Sequence, residues 1–273
     1  MMDGSVTFPP SKNISNLFSI ILSCFLILGI IHLPPIGYDT TFLGLHFKVH
    51  FEFSQLAAFF CCLIVLLGSY SLMQMNSQSN ITKSWQHSWL TALTAFAIAE
   101  LLLFFPAYQM NWWITFFLGN FILFITVISE YATLSTEEHH QRSWMELWLT
   151  IVGSIALLML TAYWHSNIDR LFFLLPLLGI SFAGYSHRLI SLQGDHESCL
   201  SCTLSAALAS LYICIALFYW QISSTAFSLM SVSFLYVFIS LISSIKDGVF
   251  VRRSTINALG ILCLFWLAAL WMF

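Results

Sequence analysis

Glu100 is the acidic residue placed deepest in an apolar stretch, TAFAIAELLLFFP, and the one best suited to chemistry inside a membrane. A charge in the middle of a membrane span costs at least ~2.5 kcal/mol, so this carboxyl group should face other helices and be protonated or paired. His32 and His165 each end an apolar stretch and are candidate partners. These three residues predict an intramembrane polar site acting as a proton relay, a cation site or a catalytic acid. A purely structural hydrogen bond between helices is the alternative.

The histidines and cysteines do not predict a metal site. His46 and His50 would lie about 13 Å apart in an extended chain at ~3.3 Å per residue, too far to share one ion. The stretch HESCLSC brings together His196, Cys199 and Cys202, but zinc takes four ligands and only three are local. Most of the seven cysteines lie in apolar runs, where cysteine behaves as a small hydrophobic residue.

The known signatures of soluble-type catalysis are also missing. The sequence has no Gly-x-Ser-x-Gly, no glycine-rich phosphate loop, no His-Glu-x-x-His and no aspartate-rich prenyl-diphosphate motif. A lipid-active enzyme would have to use Glu100, or an inner group of Glu130, Arg142 and Arg188. The cofactor is unknown at this stage, since a quinone, pigment or haem among phenylalanine-rich spans leaves no distinctive pattern.

The amino-acid composition indicates whether these polar residues belong to a soluble protein or to a membrane protein. Of the 273 residues, 59% are hydrophobic and 8% are charged, whereas soluble domains carry roughly 25% charged residues. The 26 phenylalanines and 10 tryptophans fit a membrane protein with aromatic belts. A net charge of −3 offers no basic surface to nucleic acid. The expected partners are therefore the lipid bilayer and other membrane proteins.

Apolar runs of about 20 residues predict nine transmembrane helices in a single membrane domain, 1–273. The predicted spans are 16–33, 53–73, 87–107, 111–131, 146–165, 170–190, 202–221, 224–243 and 256–273. The last span is short and barely crosses at ~1.5 Å per residue. In the seventh, Ser201, Ser205 and Ala209 form a stripe of small residues that is expected to face a neighbouring helix.

Lysine and arginine orient the predicted bundle. The connections on one side carry only Lys48 and Arg170. Those on the other side carry seven basic residues: Lys12, Lys83, Arg142, Arg188, Lys246, Arg252 and Arg253. The positive-inside rule then places the N-terminus in the cytoplasm and the C-terminus outside.

The segment LHFKVHFEF at 45–53 alternates apolar and polar residues, which is the period of a half-buried strand. An isolated strand is unstable, and an unpaired strand edge cannot lie in hydrocarbon. We therefore expect this segment either to pair with residues 36–42 as a small hairpin or to lie at the interface. In both cases it would cap the outer mouth of the bundle.

Four segments resemble an uncharacterised bacterial family of multi-pass membrane proteins. They are IHLPPIG…FLGLHFKVHFEFSQLAAFF, HSWLTALTAFAIAELLLFFP, NWW and SEYATL. The resemblance runs along most of the chain and implies the same architecture, including the strand-like first loop. It implies no chemistry, because the family has no assigned function. We expect the protein in the bacterial plasma (inner) membrane.

The sequence thus predicts an all-α polytopic membrane protein with about nine transmembrane helices and a small strand-like outer loop between helices 1 and 2. Three functions stay open. The first is a non-catalytic membrane component, either an assembly factor or a complex subunit, since polar residues within the spans are sparse and catalytic motifs are missing. The alternatives are a small proton-coupled transporter using Glu100 and an intramembrane lipid-active enzyme; of these classes an enzyme is less expected than a non-enzyme.

Overall fold

The computed structural model describes residues 11–30, 36–42, 45–51, 53–75, 81–135, 139–168, 170–193, 200–220, 222–246 and 251–271. These ranges form nine α-helices and one two-stranded sheet. The helices are α1 (Ser11–Ile30), α2 (Phe53–Gln74), α3 (Ile81–Phe104), α4 (Met110–Ser135), α5 (His139–Asn167), α6 (Leu171–Gln193), α7 (Leu200–Phe218), α8 (Ser224–Lys246) and α9 (Val251–Trp271). The strands are β1 (Ile36–Phe42) and β2 (Leu45–Phe51).

Eight of the described helices are long and apolar enough to cross a membrane. The predicted all-α polytopic architecture is therefore confirmed, and the chain is a multi-pass membrane protein. In α9 the apolar stretch covers only Leu259–Ala269, which agrees with a last span that barely crosses. Helix boundaries differ most in α5, which begins at His139 rather than at residue 146, because its first turns are polar and carry no hydropathy signal.

The strand predicted from alternating residues is present and paired. β1 and β2 run antiparallel, with Ile36 opposite Phe51 and Phe42 opposite Leu45. This pairing supplies ladder hydrogen bonds that an isolated extended segment would lack. The hairpin, one of the two expected arrangements of this loop, is confirmed.

Two compact units divide the chain, Met1–Leu149 and Thr150–Phe273. In the first unit, α3 contacts α1, α2 and α4. In the membrane-crossing stretch of α3, 72% of the residues are buried, against 33% in that of α1. α3 is therefore the central helix of the first unit, and polar side chains on it are shielded from lipid.

Close helix approaches hold the first unit together. A Cβ atom at Gly119 in α4 would lie 2.7 Å from Cγ2 of Ile98 in α3. A Cβ at Gly29 in α1 would overlap the ring of Trp112 in α4. Glycine thus lets backbones approach where a larger residue would separate them. These contacts set the axial register of α3 and α1 against α4.

In the second unit, α7 packs between α6 and α8. The small-residue stripe predicted at Ser201 and Ser205 is wrong, since both side chains are exposed. The buried face of α7 instead contains Thr203, Ala206, Ala207, Ser210, Cys214 and Leu217. Two small-residue stripes run along this helix, and the neighbours of α7 decide which one is covered.

Candidate functional site

Glu100 lies in the membrane-crossing stretch of α3 and is 5% exposed. Its predicted burial is therefore observed. Glu100 follows Ile98 by two residues, which turns it about 160° around the helix at ~100° per residue. Since Ile98 contacts α4 at Gly119, the Glu100 carboxyl group points away from α4.

The predicted partners of Glu100 do not complete a site with it. His32 lies outside the described residues, and His165 belongs to the second unit. There the Nδ1 atom of His165 lies 3.1 Å from Oγ of Ser224. The imidazole also stacks on Phe227 with ring centroids 4.2 Å apart. These contacts tie the end of α5 to the start of α8, and a site built from Glu100, His32 and His165 stays a prediction.

The first unit contains a different acidic site, formed by His87 of α3 and Glu130 of α4. Nδ1 of His87 lies 2.8 Å from Oε2 of Glu130. The Glu130 side chain has no exposure and the His87 side chain has 11%. A contact of this length between an imidazole and a carboxylate is a charge-assisted hydrogen bond. The carboxyl group is therefore fully enclosed, while the imidazole keeps a small exposed surface.

Thr133 belongs to the same group of contacts. Its hydroxyl donates to the Glu130 carbonyl oxygen at 2.8 Å, and its Oγ1 lies 3.3 Å from Nδ1 of His87. Nδ1 of His87 is therefore within reach of both Oγ1 of Thr133 and Oε2 of Glu130. Which atom donates in these two contacts is set by the tautomer and charge of the imidazole.

Helix register explains why these two residues meet. His87 opens the membrane-crossing stretch His87–Phe104 of α3, and Glu130 lies in the last turn of Met110–Thr133 in α4. His87 precedes Ile98 by 11 residues, and Glu130 follows Gly119 by 11 residues. Because α3 and α4 are antiparallel neighbours that touch at Ile98 and Gly119, equal offsets bring the two side chains to one level near one end of the spans.

Buried hydroxyl groups extend from this level into the interface between α2 and α3. Thr91, one turn after His87, donates to Oγ of Ser69 in α2 at 2.9 Å or to the Ser88 carbonyl oxygen at 2.7 Å. One turn further, Thr94 donates to the Thr91 carbonyl oxygen at 2.9 Å. Hydrogen-bonded hydroxyl groups therefore follow His87 along α3 at intervals of one turn.

The second unit has buried polar contacts of its own. Oγ of Ser154 in α5 and Oη of Tyr185 in α6 are 2.6 Å apart. One turn after Tyr185, the buried Arg188 donates from Nη1 to Oγ of Ser191 at 3.0 Å. Arg188 thus has a local hydrogen-bond acceptor. The Arg142 side chain, the third member of the inner group suggested for an enzyme, lies outside the described residues.

Within the described part of the chain, no three His, Cys, Asp or Glu side chains cluster closely enough to hold a metal ion. The described surface has a shallow depression along α4, and its lining is entirely apolar and aromatic. The lining residues are Met110, Trp113, Ile114, Phe117, Leu118 and Phe121. Such a surface suits lipid or another membrane helix and offers no group for acid–base chemistry.

From the sequence, Glu130 was named only as part of an inner group with Arg142 and Arg188, and it was not connected to His87. The signal for this contact lies in the spacing of the two residues, which have to be considered together. In an antiparallel helix pair, residues equally distant from the connecting turn lie at the same level. His87 and Glu130 satisfy that condition across the turn near Gln109. The amide of Gln109 donates to the Pro106 carbonyl oxygen in this turn. The pattern becomes distinctive only once the helix register is known.

Residues 33–272 match the profile of a family described as "Protein of unknown function (DUF5656)". The match begins after α1 and covers the hairpin and helices α2 to α9. The comparisons with curated proteins and with solved structures gave no significant match.

Proposed function

We propose a transport function for this chain, which belongs to the DUF5656 family of unknown function: it is a small proton-coupled transporter whose coupling proton binds at His87 and Glu130. The observation that carries this proposal is the 2.8 Å contact between a partly exposed imidazole and a carboxyl group with no exposure. Ionisable residues inside membrane spans are costly, and chains of Asp, Glu and His commonly mark proton relays there.

The chemistry of the pair suits proton exchange. Histidine is the side chain whose ordinary titration range lies nearest to neutral pH, so it can take up and release protons under cellular conditions. Glu130 stabilises the protonated imidazole and can itself accept the proton across one hydrogen bond. A change in helix packing that altered this contact would change proton affinity, which is the coupling a carrier needs.

The experiment is solute-driven proton flux in liposomes that enclose a pH-sensitive dye. Purified protein would be challenged with a panel of amino acids, sugars, organic acids and inorganic cations. The key variant is Glu130→Gln, which keeps the shape of the side chain but cannot ionise. The matched control is Thr115→Val, since Thr115 is half-buried and, within the described part of the chain, its hydroxyl donates to the Asn111 carbonyl oxygen of its own helix.

We expect at least one solute to drive proton movement in the wild type and in Thr115→Val. Glu130→Gln should lower that flux at least about tenfold, as loss of an essential proton carrier does. Retention of full flux by Glu130→Gln would overturn the assignment of the site. Product formation from lipid without proton flux would instead indicate the third class, a lipid-active membrane enzyme built around Glu130.

A second candidate function is a non-catalytic component of a larger membrane complex, such as an assembly factor or subunit. The apolar depression on α4 favours it, because Trp113, Phe117 and Phe121 expose large aromatic surfaces on one helix face. Aromatic residues are enriched where membrane proteins associate. Extraction in native lipid discs followed by mass spectrometry tests this role. A stoichiometric protein partner that is lost in Phe117→Ala and kept in Thr115→Val would support it.

The proposal also covers the membrane in which the protein lies and its orientation there. We place the protein in a bacterial plasma membrane with the N-terminus in the cytoplasm and the C-terminus outside. The support is the uneven distribution of lysine and arginine between alternate connections. In this orientation, His87 and Glu130 lie near the cytoplasmic side, and the β1–β2 hairpin and Glu100 lie toward the outer side.

A further inference from the structure

The seam between α1 and α4 in the first unit contains two buried polar atoms, on Asn120 and Trp112, that have no hydrogen-bond partner among the described residues. α1 contacts α4 where Gly29 meets the Trp112 ring and where Phe18 packs against Phe124 with ring centroids 4.6 Å apart. Asn120 lies between these points, one turn before Phe124. Neighbouring α4 residues Phe116, Leu123 and Val127 belong to the same buried core as α1.

Asn120 is 6% exposed, and its Oδ1 atom has no hydrogen-bond partner among the described residues. Its amide nitrogen is already used, since Nδ2 donates to the Phe116 carbonyl oxygen at 2.7 Å. A buried amide oxygen without a donor is costly in an apolar core. Such an atom requires an explanation, and a bound group that is not part of the polypeptide is one of those that buried polar atoms have in native proteins.

Trp112 provides the complementary atom in the same seam. Its side chain is 1% exposed, and its Nε1–H has no acceptor within the described chain. Three half-buried tryptophans, Trp89, Trp148 and Trp266, also have a buried Nε1 atom without an acceptor among the described residues, so an unpaired indole alone indicates little. Trp112 differs because a buried acceptor without a donor lies eight residues away on the same helix, about 12 Å along the axis at ~1.5 Å per residue.

We propose that the α1–α4 seam binds a hydroxylated acyl chain, as a free hydroxy fatty acid or as part of a lipid. Its carbonyl oxygen accepts from the Trp112 indole, and its chain hydroxyl donates to Oδ1 of Asn120. The depths of Trp112 and Asn120 in the membrane match the positions of the carbonyl and the chain hydroxyl of such a ligand. Trp112 lies at the start of the membrane-crossing stretch Met110–Thr133, where lipid carbonyls lie. Asn120 is about 12 Å deeper than Trp112 at ~1.5 Å per residue, toward the middle of a hydrocarbon layer ~30 Å thick.

The site also has an apolar wall for the chain between its two polar ends. The rings of Trp112 and Phe116 stack with centroids 5.2 Å apart and planes within 12°. In the structure α1 closes the seam, because the Trp112 ring occupies the space beside Gly29. Binding therefore requires α1 to move away from α4. This site is separate from His87 and Glu130 and does not depend on the transport proposal.

The test compares two probes that differ by one hydroxyl group, 10-hydroxystearate and stearate, in lipid discs containing the full chain. Binding is measured by the shift in melting temperature with probe concentration. Asn120→Leu removes the amide and keeps an apolar side chain of similar size, which a buried core tolerates. Trp112→Phe removes the indole N–H and keeps the ring stack. Thr115→Val is the control on the same helix.

We expect the wild type and Thr115→Val to bind the hydroxylated probe about fivefold more tightly than stearate, as one net hydrogen bond provides. Asn120→Leu should abolish this preference while leaving stearate binding unchanged, and Trp112→Phe should weaken both probes. Equal binding of both probes by the wild type would overturn the site. Mass spectrometry of native discs then distinguishes the sources, since a copurifying hydroxy fatty acid or hydroxyacyl lipid would each have a defined mass.

Discussion

At the residue scale, the His87–Glu130 contact is the feature of the first unit with the clearest chemistry. A carboxyl group without exposure is joined to an imidazole that retains 11% exposure, at 2.8 Å. Thr133 adds a contact to each partner, since its hydroxyl donates to the Glu130 carbonyl oxygen and its Oγ1 lies 3.3 Å from Nδ1 of His87. Glu100 shares the burial of Glu130 but lies on the face of α3 away from α4. The two acids of this unit therefore have different environments.

Removing one member of this pair should lower the free energy of unfolding more than removing both. His87→Leu removes the imidazole contact of the buried Glu130 carboxyl group and should lower the free energy of unfolding by about 3 kcal/mol. The double variant His87→Leu with Glu130→Leu should recover most of that loss, because an apolar pair replaces a buried polar pair at little cost. Denaturant unfolding in mixed micelles measures both values. Additive losses in the double variant would show that the two residues do not interact.

At the element scale, α3 is the helix on which the first unit is built. It contacts α1, α2 and α4, and the Thr91–Ser69 hydrogen bond joins it to α2. Close approach to α4 occurs at Gly119, and α1 approaches α4 at Gly29. Such contacts matter more in lipid than in water, because no hydrophobic effect drives transmembrane helices together.

The contact between Gly29 and Trp112 gives a prediction for α1. Gly29→Ala forces its new methyl group against a rigid indole ring and should destabilise the protein by about 1–3 kcal/mol through overpacking. The matched control is Gly260→Ala in α9, where a Cβ would meet nothing within 4 Å. Thermal unfolding in detergent compares the two. Unchanged stability of Gly29→Ala would show that α1 does not pack on Trp112 in the membrane.

At the scale of the whole molecule, the chain is a multi-pass membrane protein whose described residues form two compact units. This division does not test the prediction that the chain forms a single membrane domain. Eight helices meet the length and hydropathy needed to cross, while the apolar part of α9 is shorter. Whether the C-terminus lies outside therefore depends on α9.

Reporter fusions test this arrangement. A fluorescent protein fused before residue 1 should fluoresce, because the cytoplasm allows it to fold. Alkaline phosphatase fused after Phe273 should be active, because nine crossings place the C-terminus outside. A fusion after Gln74, at the end of α2, should give an inactive phosphatase. An inactive C-terminal fusion with the other two results unchanged would show that α9 does not cross.

Much of the architecture follows from local properties of the chain. Helix length and hydropathy identify the membrane-crossing helices, since the bilayer demands both over about 20 consecutive residues. Alternation at 45–53 identifies β2 because side chains of a strand point to opposite faces. The stripe chosen in α7 was wrong, however. Several faces of one helix carry small residues, and only the packing partners of α7 decide which face is buried.

Sequence by itself determined that this chain is a helical membrane protein with a hairpin in its first loop, because these properties depend on neighbours along the chain. Tertiary structure alone decided which polar residues meet. His87 and Glu130 are 43 positions apart, and their contact depends on the register that Ile98 and Gly119 impose on α3 and α4. The same holds for Nε1 of Trp112 and Oδ1 of Asn120, which have no hydrogen-bond partner among the residues that the structure describes; their burial depends on the packing of the first unit. A buried polar group takes its role from what surrounds it in space, and that information is not local to the chain.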